Sequence, residues 1–158
     1  MCLTILVTGG ARSGKSSFAE KRTKQLGSSL MYIATSEIID SEMEKRVAEH
    51  QARRGSEWET LHAPLKLTEA LSETDGKGPC LVDCLTIWLN NLIFHNEDTV
   101  VATKELIKVL EQRSDPVVLV TNEVGSGIVP ENALARRFRD EAGRMNQIIS
   151  QVADEVYL

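Results

Sequence analysis

The sequence predicts an α/β fold, a mainly parallel sheet flanked by helices, from three observations. Short apolar runs of strand length alternate with longer runs of helical period along the chain. A glycine-rich loop separates the first of these strands from the first helix. No repeat, low-complexity tract or linker interrupts the alternation. Strands that alternate with helices are expected to lie parallel and to be joined by right-handed crossovers. At 158 residues the chain can bury a substantial core, so residues 1–158 are read as a single domain.

Leu3 to Thr8 is β-branched and apolar, as a strand buried on both faces should be. It leads into Gly9-Gly10-Ala11-Arg12-Ser13-Gly14-Lys15-Ser16, which fits G-x-x-x-x-G-K-[ST] at each fixed position. Ser17 to Leu26 reads as a helix closed by Gly27. Strand, glycine loop and helix in this order supply the context a phosphate-binding loop requires. Backbone N–H groups from Gly9 to Gly14 can turn inward around phosphate oxygens, and the helix start adds a positive dipole end. Lys15 can reach the terminal phosphates, and the Ser16 hydroxyl can ligate Mg²⁺. The fold is therefore read as a P-loop NTPase-like α/β domain that binds a nucleoside triphosphate.

Leu30 to Ala34 is a second apolar strand. Thr35 and Ser36 follow at its C-terminal edge, where ligands of open α/β sheets sit. A plain structural turn there is an equal reading. Ser41 to Arg54 is a helix, with Ser41 and Glu44 matching an S-x-x-E capping box. Glu42 with Arg46, and Glu49 with Arg53, stand at favourable i,i+4 spacing. Met43, Val47 and His50 fall on one stripe, with Arg46 and Arg54 at its border. Two readings of His50 stay open on periodicity alone. One is a partly buried core histidine. The other is a histidine facing a nucleotide, its neutral, nucleophilic form favoured by the cations beside it.

Gly55 ends that helix, and Trp58 to His62 is a short extended segment. Pro64 to Ser72 reads as a helix with Pro64 near its first position and Leu65, Ala70 and Leu71 as apolar contacts. Pro79 to Asp83 is an apolar strand ending in a carboxylate, the pattern of a Walker B strand whose acid serves the Mg²⁺ shell. The helix from Thr86 to Phe94 carries core residues only, and His95 after it is expected to be solvated. Thr99 to Gln112 is a helix, and Pro116 to Thr121 is another buried strand. Asn132 to Ala153 is the longest helix, with Leu134, Phe138, Met145, Ile149 and Val152 inward. A last strand begins at Glu155.

The net charge of −5 argues against a basic nucleic-acid-binding face. No apolar run reaches the roughly 18–20 residues that span a bilayer. Three cysteines, Cys2, Cys80 and Cys84, are too few and too poorly spaced for a zinc site or a disulfide framework. They fit a reducing, cytoplasmic setting, with Cys80 and Cys84 as small core fillers. A regulatory GTPase would need N-K-x-D and D-x-x-G motifs, and the chain has neither. From the residues alone a small-molecule kinase is the natural class.

The segments Thr8 to Ser16, Tyr32 to Ser36, Asp83 to Thr86, Val120 to Asn132 and Arg136 to Gln147 together resemble a single family over essentially the whole chain. It is the bifunctional adenosylcobinamide kinase and adenosylcobinamide-phosphate guanylyltransferase of cobalamin biosynthesis. The resemblance implies two steps. Adenosylcobinamide, a corrinoid, is phosphorylated from ATP or GTP, and its phosphate then takes GMP from GTP through a guanylyl-histidine.

His50 stands at the family's R-x-x-x-H position, counted from Arg46. The resemblance also implies that Ala34, Thr35, Ser36, Gln51, Ala52, Arg53, Arg54 and Asp83 contact nucleotide, and that the assembly is a homotrimer. His62 stands where the family often has Glu, which puts guanosine contact there in question. The family usually continues past Leu158 with a short tail, so the last strand is expected to be truncated or naturally short. The alternatives are a single-activity kinase or guanylyltransferase of the same fold and a non-catalytic nucleotide-binding module.

Overall fold

The computed structural model describes residues 2–38 and 40–158. In chain order it contains β1 (Thr4–Val7), α1 (Lys15–Lys24), β2 (Leu30–Ala34), α2 (Ser41–Arg54), β3 (Trp58–His62) and α3 (Leu67–Thr74). Then come β4 (Cys80–Asp83), α4 (Leu85–Phe94), α5 (Thr99–Gln112), β5 (Val117–Val120), α6 (Ala133–Val152) and β6 (Glu155–Tyr157). The six strands form one sheet in the order β3-β2-β4-β5-β1-β6, and every neighbouring pair is parallel. All strand C-termini therefore meet at one edge, which gathers the loops after β1, β2, β4 and β5.

Alternating side chains divide the core between the two faces of the sheet. Leu6, Met31, Ile33, Val82 and Leu119 pack against α3, α4, α5 and α6 through Leu71, Trp88, Leu106 and Met145. Ile5, Val7, Tyr32, Leu81 and Val118 face the other way, toward Ala19 of α1 and Trp58. Cys80 and Cys84 are buried among these groups as small fillers.

Several details of the helices differ from the sequence reading. Helix α1 starts at Lys15, inside the glycine motif, because Gly14 takes a left-handed conformation as its N-cap. Helix α2 is capped by Asp40 rather than by a box centred on Ser41: its carboxylate accepts the Met43 N–H at 2.7 Å. Arg46 pairs with Glu42 at 2.9 Å, whereas Glu49 and Arg53 form no ion pair among the described residues.

Pro64 does not open α3, which starts at Leu67. The Pro64 carbonyl accepts from Asn91 Nδ2 at 3.0 Å and the Leu65 carbonyl from Trp88 Nε1 at 2.9 Å, so both residues serve as loop anchors for α4. Leu134, the second residue of α6, is 60% exposed rather than inward. His95 is exposed, as expected, and its Nε2 also meets Glu37 Oε1 at 2.8 Å, tying the end of α4 to the segment after β2.

Candidate active site

The loop from Gly9 to Gly14 leaves β1 at the C-terminal edge. Gly9 (φ 152°) and Gly14 (φ 89°) both have positive φ, and a Cβ on Gly9 would lie 2.7 Å from Ser13 Oγ. Arg12 shares the left-handed region at φ 54°. Gly10, Ala11, Arg12, Ser13 and Ser16 are exposed. Lys15 Nζ donates to the Gly10 carbonyl at 2.9 Å, folding the ammonium over the loop. The Glu123 N–H donates to the Gly9 carbonyl at 2.9 Å, so the segment after β5 braces the loop from one side. A first cleft joins Ser13, Gly14 and Lys15 to Phe18 and Tyr157, whose rings lie 5.0 Å apart.

A second cleft of about 170 Å³ opens over β2 and β4 and gathers Tyr32, Ala34, Ser36, Val47, His50, Arg54, Asp83 and Ile87. His50 is exposed at its wall, so the core-histidine reading does not hold. The stripe of Met43, Val47 and His50 meets the protein only partially, and its His50 end looks into the cleft. Strand order leaves β5 between β4, which carries Asp83, and β1, which carries the glycine loop.

The floor of the second cleft is a chain of polar contacts. Tyr32 Oη donates to Asp83 Oδ2 at 2.7 Å. Burial, and after it the Asp83 carboxylate, push the Tyr32 phenol above its ordinary value, so it remains a proton donor at neutral pH. The Arg54 guanidinium lies 3.5 Å above the centroid of the Tyr32 ring, a cation–π contact. Arg54 is only 6% exposed. Its Nη2 donates to Thr60 Oγ1 at 3.4 Å, its Nε has no partner, and among the described residues it meets no carboxylate.

Ala34, Ser36, His50, Arg54 and Asp83 thus come together in one cleft, and Ser13, Gly14 and Lys15 in its neighbour. Gln51 and His62 lie outside both and meet each other, Nε2 to Nε2, at 3.1 Å. Ala52 and Arg53 are exposed. Thr35 is fully buried, and its hydroxyl is held between the Cys84 carbonyl at 2.7 Å and the Cys84 N–H at 2.9 Å. Its own N–H reaches the Asp83 carbonyl, and its carbonyl accepts Asn91 Nδ2 at 2.8 Å. Thr35 therefore braces the edge, leaving Ala34 and Ser36 to face the cleft.

Reading the sequence missed two sets of groups. Tyr32 entered only as part of a signature, because a tyrosine inside an apolar strand, between Met31 and Ile33, looks like core. Thr86, Thr121 and Asn146 form the second set. Thr121 Oγ1 donates to Asn146 Oδ1 at 2.7 Å, and Thr86 Oγ1 accepts the Asn122 N–H at 2.7 Å. With the Thr86–Thr121 hydroxyl contact at 3.3 Å, these bonds tie the start of α4 and the end of β5 to α6. The family-like segments Asp83 to Thr86 and Arg136 to Gln147 contain Thr86 and Asn146, but spacing alone gave those residues no task.

A family model described as cobinamide kinase / cobinamide phosphate guanyltransferase matches residues 5–158. The chain is 42% identical over 154 residues to the bifunctional adenosylcobalamin biosynthesis protein CobP of Pseudomonas aeruginosa, covering 96% of this chain and 89% of that protein. It is 42% identical over 175 residues to CobU of Salmonella typhimurium, which bears the same description, covering 99% and 94%. CobU of Escherichia coli is 41% identical over 172 residues, with the same coverage of 99% and 94%. The chain belongs to the cobinamide kinase / cobinamide phosphate guanyltransferase family.

Proposed function

We propose that this chain phosphorylates adenosylcobinamide with ATP or GTP and then transfers GMP from GTP to the adenosylcobinamide phosphate by way of a guanylyl-His50. The observation that carries the reading is the placement of His50 and Asp83 in one cleft, at the same sheet edge as the glycine loop.

In the first step the substrate hydroxyl oxygen bonds to the γ-phosphorus, the bond to the nucleoside diphosphate breaks, and the hydroxyl proton leaves to solvent. Gly9 to Ser16 hold the triphosphate, with Lys15 neutralising charge that builds on the transferred group. In the second step one ring nitrogen of His50 attacks the α-phosphorus of GTP, pyrophosphate leaves, and the other ring nitrogen releases its proton to solvent. A phosphate oxygen of the corrinoid then attacks the same phosphorus, and the imidazole departs and regains a proton. Arg54, one helical turn after His50, presents a buried cation to the phosphate being passed. Gln51, Ala52, Arg53 and His62 flank the nucleotide.

Mg²⁺ fits the oxygens on offer. Among the described residues no cluster of three or more His, Cys, Asp or Glu could hold a metal unaided. Asp83 keeps Oδ1 free of protein donors there, and Ser16 adds a hydroxyl. Mg²⁺ commonly takes one carboxylate, waters and the substrate phosphates, and would supply charge neutralisation on the β- and γ-oxygens when bound. The described residues contain no helix long and apolar enough to cross a membrane. We place the working enzyme in the cytoplasm as a homotrimer, which sedimentation of the purified protein tests.

Incubation with GTP labelled at the α-phosphate tests the nucleophile. Acid-labile, alkali-stable label on the protein is expected, and it should vanish in His50→Ala. Label that persists in that variant would remove His50 from the role.

A further inference from the structure

We propose that Tyr32 is a positioning residue that links the two reaction centres: its hydroxyl orients Asp83 for phosphoryl transfer, and its ring seats Arg54 for guanylyl transfer. The inference rests on the function proposed above and adds a residue to it. Sheet register creates the link. Tyr32 stands opposite Thr60 of β3 and Leu81 of β4. Thr60 takes the Arg54 guanidinium from one side at 3.4 Å while the Tyr32 ring carries it from below. The hydroxyl at the far end of the same ring reaches Asp83, two residues beyond Leu81. Trp58, edge-on to the ring at 5.9 Å and 80°, fixes its plane.

A tyrosine here does more than fill space. Phenylalanine would occupy the same core volume, whereas a hydroxyl in a buried strand needs a partner, and the one present is a carboxylate of the cleft. The guanidinium is the complementary case. Arg54 is buried without a carboxylate, an arrangement that is costly unless an anion arrives to meet it. The face of an aromatic ring can hold such a cation in place without consuming its charge, as a paired aspartate would. The negative partner is then the phosphate that His50 receives, four residues along the same helix face.

The two halves of this role separate in variants. Tyr32→Phe removes the hydroxyl and keeps the ring. It should lower kcat for γ-phosphoryl transfer about tenfold and His50 guanylylation less than threefold, the scale expected when a reacting group loses its orientation. Tyr32→Leu removes both contacts and should lower both rates by about tenfold or more. Arg54→Lys keeps the charge but not the planar stack, and should lower guanylylation more than phosphoryl transfer.

The readout is the ratio of the two half-reaction rates, each measured on the purified protein with its circular dichroism unchanged. If Tyr32→Phe leaves that ratio at its wild-type value, the proposal is overturned, whatever Tyr32→Leu does to folding. Failure of the underlying function looks different: the wild-type protein itself would then take no α-phosphate label.

Discussion

The Thr35 hydroxyl and the Cys84 peptide clasp each other across β2 and β4. The hydroxyl donates to the carbonyl at 2.7 Å and accepts the N–H at 2.9 Å. Thr35→Val keeps the shape but leaves the buried Cys84 N–H unpaired and its carbonyl with the Trp88 N–H at 3.2 Å alone, and should cost about 1–3 kcal/mol in urea unfolding. Thr35→Ser should recover most of the loss, because the hydroxyl is what the clasp needs. A valine variant as stable as wild type would show that the clasp contributes nothing.

Lys15→Ala should lower both half-reactions by roughly 10²–10³ in rate, the usual loss when one preorganised charge is withdrawn from a transferring phosphoryl group. Separate assays of γ-phosphoryl transfer and of guanylylation measure this. Phosphoryl transfer that survives in the variant would point to a second triphosphate site beyond the loop at Gly9 to Ser16.

Acid should destabilise the far end of the sheet first. Burial alone would raise the Asp75 carboxyl, but the N–H groups of Asp115 and Ser114, and after them the Arg113 guanidinium, outweigh it and hold the group below its ordinary 3.8. A carboxyl depressed in the folded state contributes stability above its unfolded value, and the contribution is lost as pH falls through the folded value. The urea midpoint should therefore drop as pH falls below about 4, and Asp75→Asn should flatten that limb. An unchanged slope in the variant would assign the acid limb to other carboxyls.

Thiol chemistry should report the integrity of the core. Burial pushes Cys80 and Cys84 up to about 11. At pH 8 both should resist iodoacetamide in the native protein and react after guanidinium unfolding, with Cys2 the first to be modified. Peptide mass mapping distinguishes the three. Rapid native labelling of Cys84 would mean that the β4 edge opens far more readily than its hydrogen bonds imply.

Much of the fold was legible because its signals are local. Apolar strands and a glycine loop flanked by strand and helix do not depend on what lies across the molecule. Boundaries were misread where a distant partner decided them: Pro64 looks like a helix start until Asn91 takes its carbonyl. The site followed the same rule. Gly9 to Ser16 and the R-x-x-x-H spacing around His50 are contiguous and readable. Tyr32 acquires its task only when sheet order places β2 beside both β3 and β4, so no window of sequence contains it. Thr35 shows the converse, a residue flagged at the nucleotide edge whose polar groups the fold had already committed.

Helix α2 has one buried residue, Arg54, in its 14, whereas all four residues of β1 and of β5 are buried. So little apolar burial gives its backbone amides a low free energy of opening compared with the sheet. In hydrogen exchange α2 should form the fast-exchanging unit, with protection rising toward Arg54, the one buried residue of the helix. The histidine proposed to carry GMP would thus ride on a helix able to swing from its Arg54 end, making room in turn for a nucleotide and a bulky corrinoid phosphate while the sheet beneath stays closed.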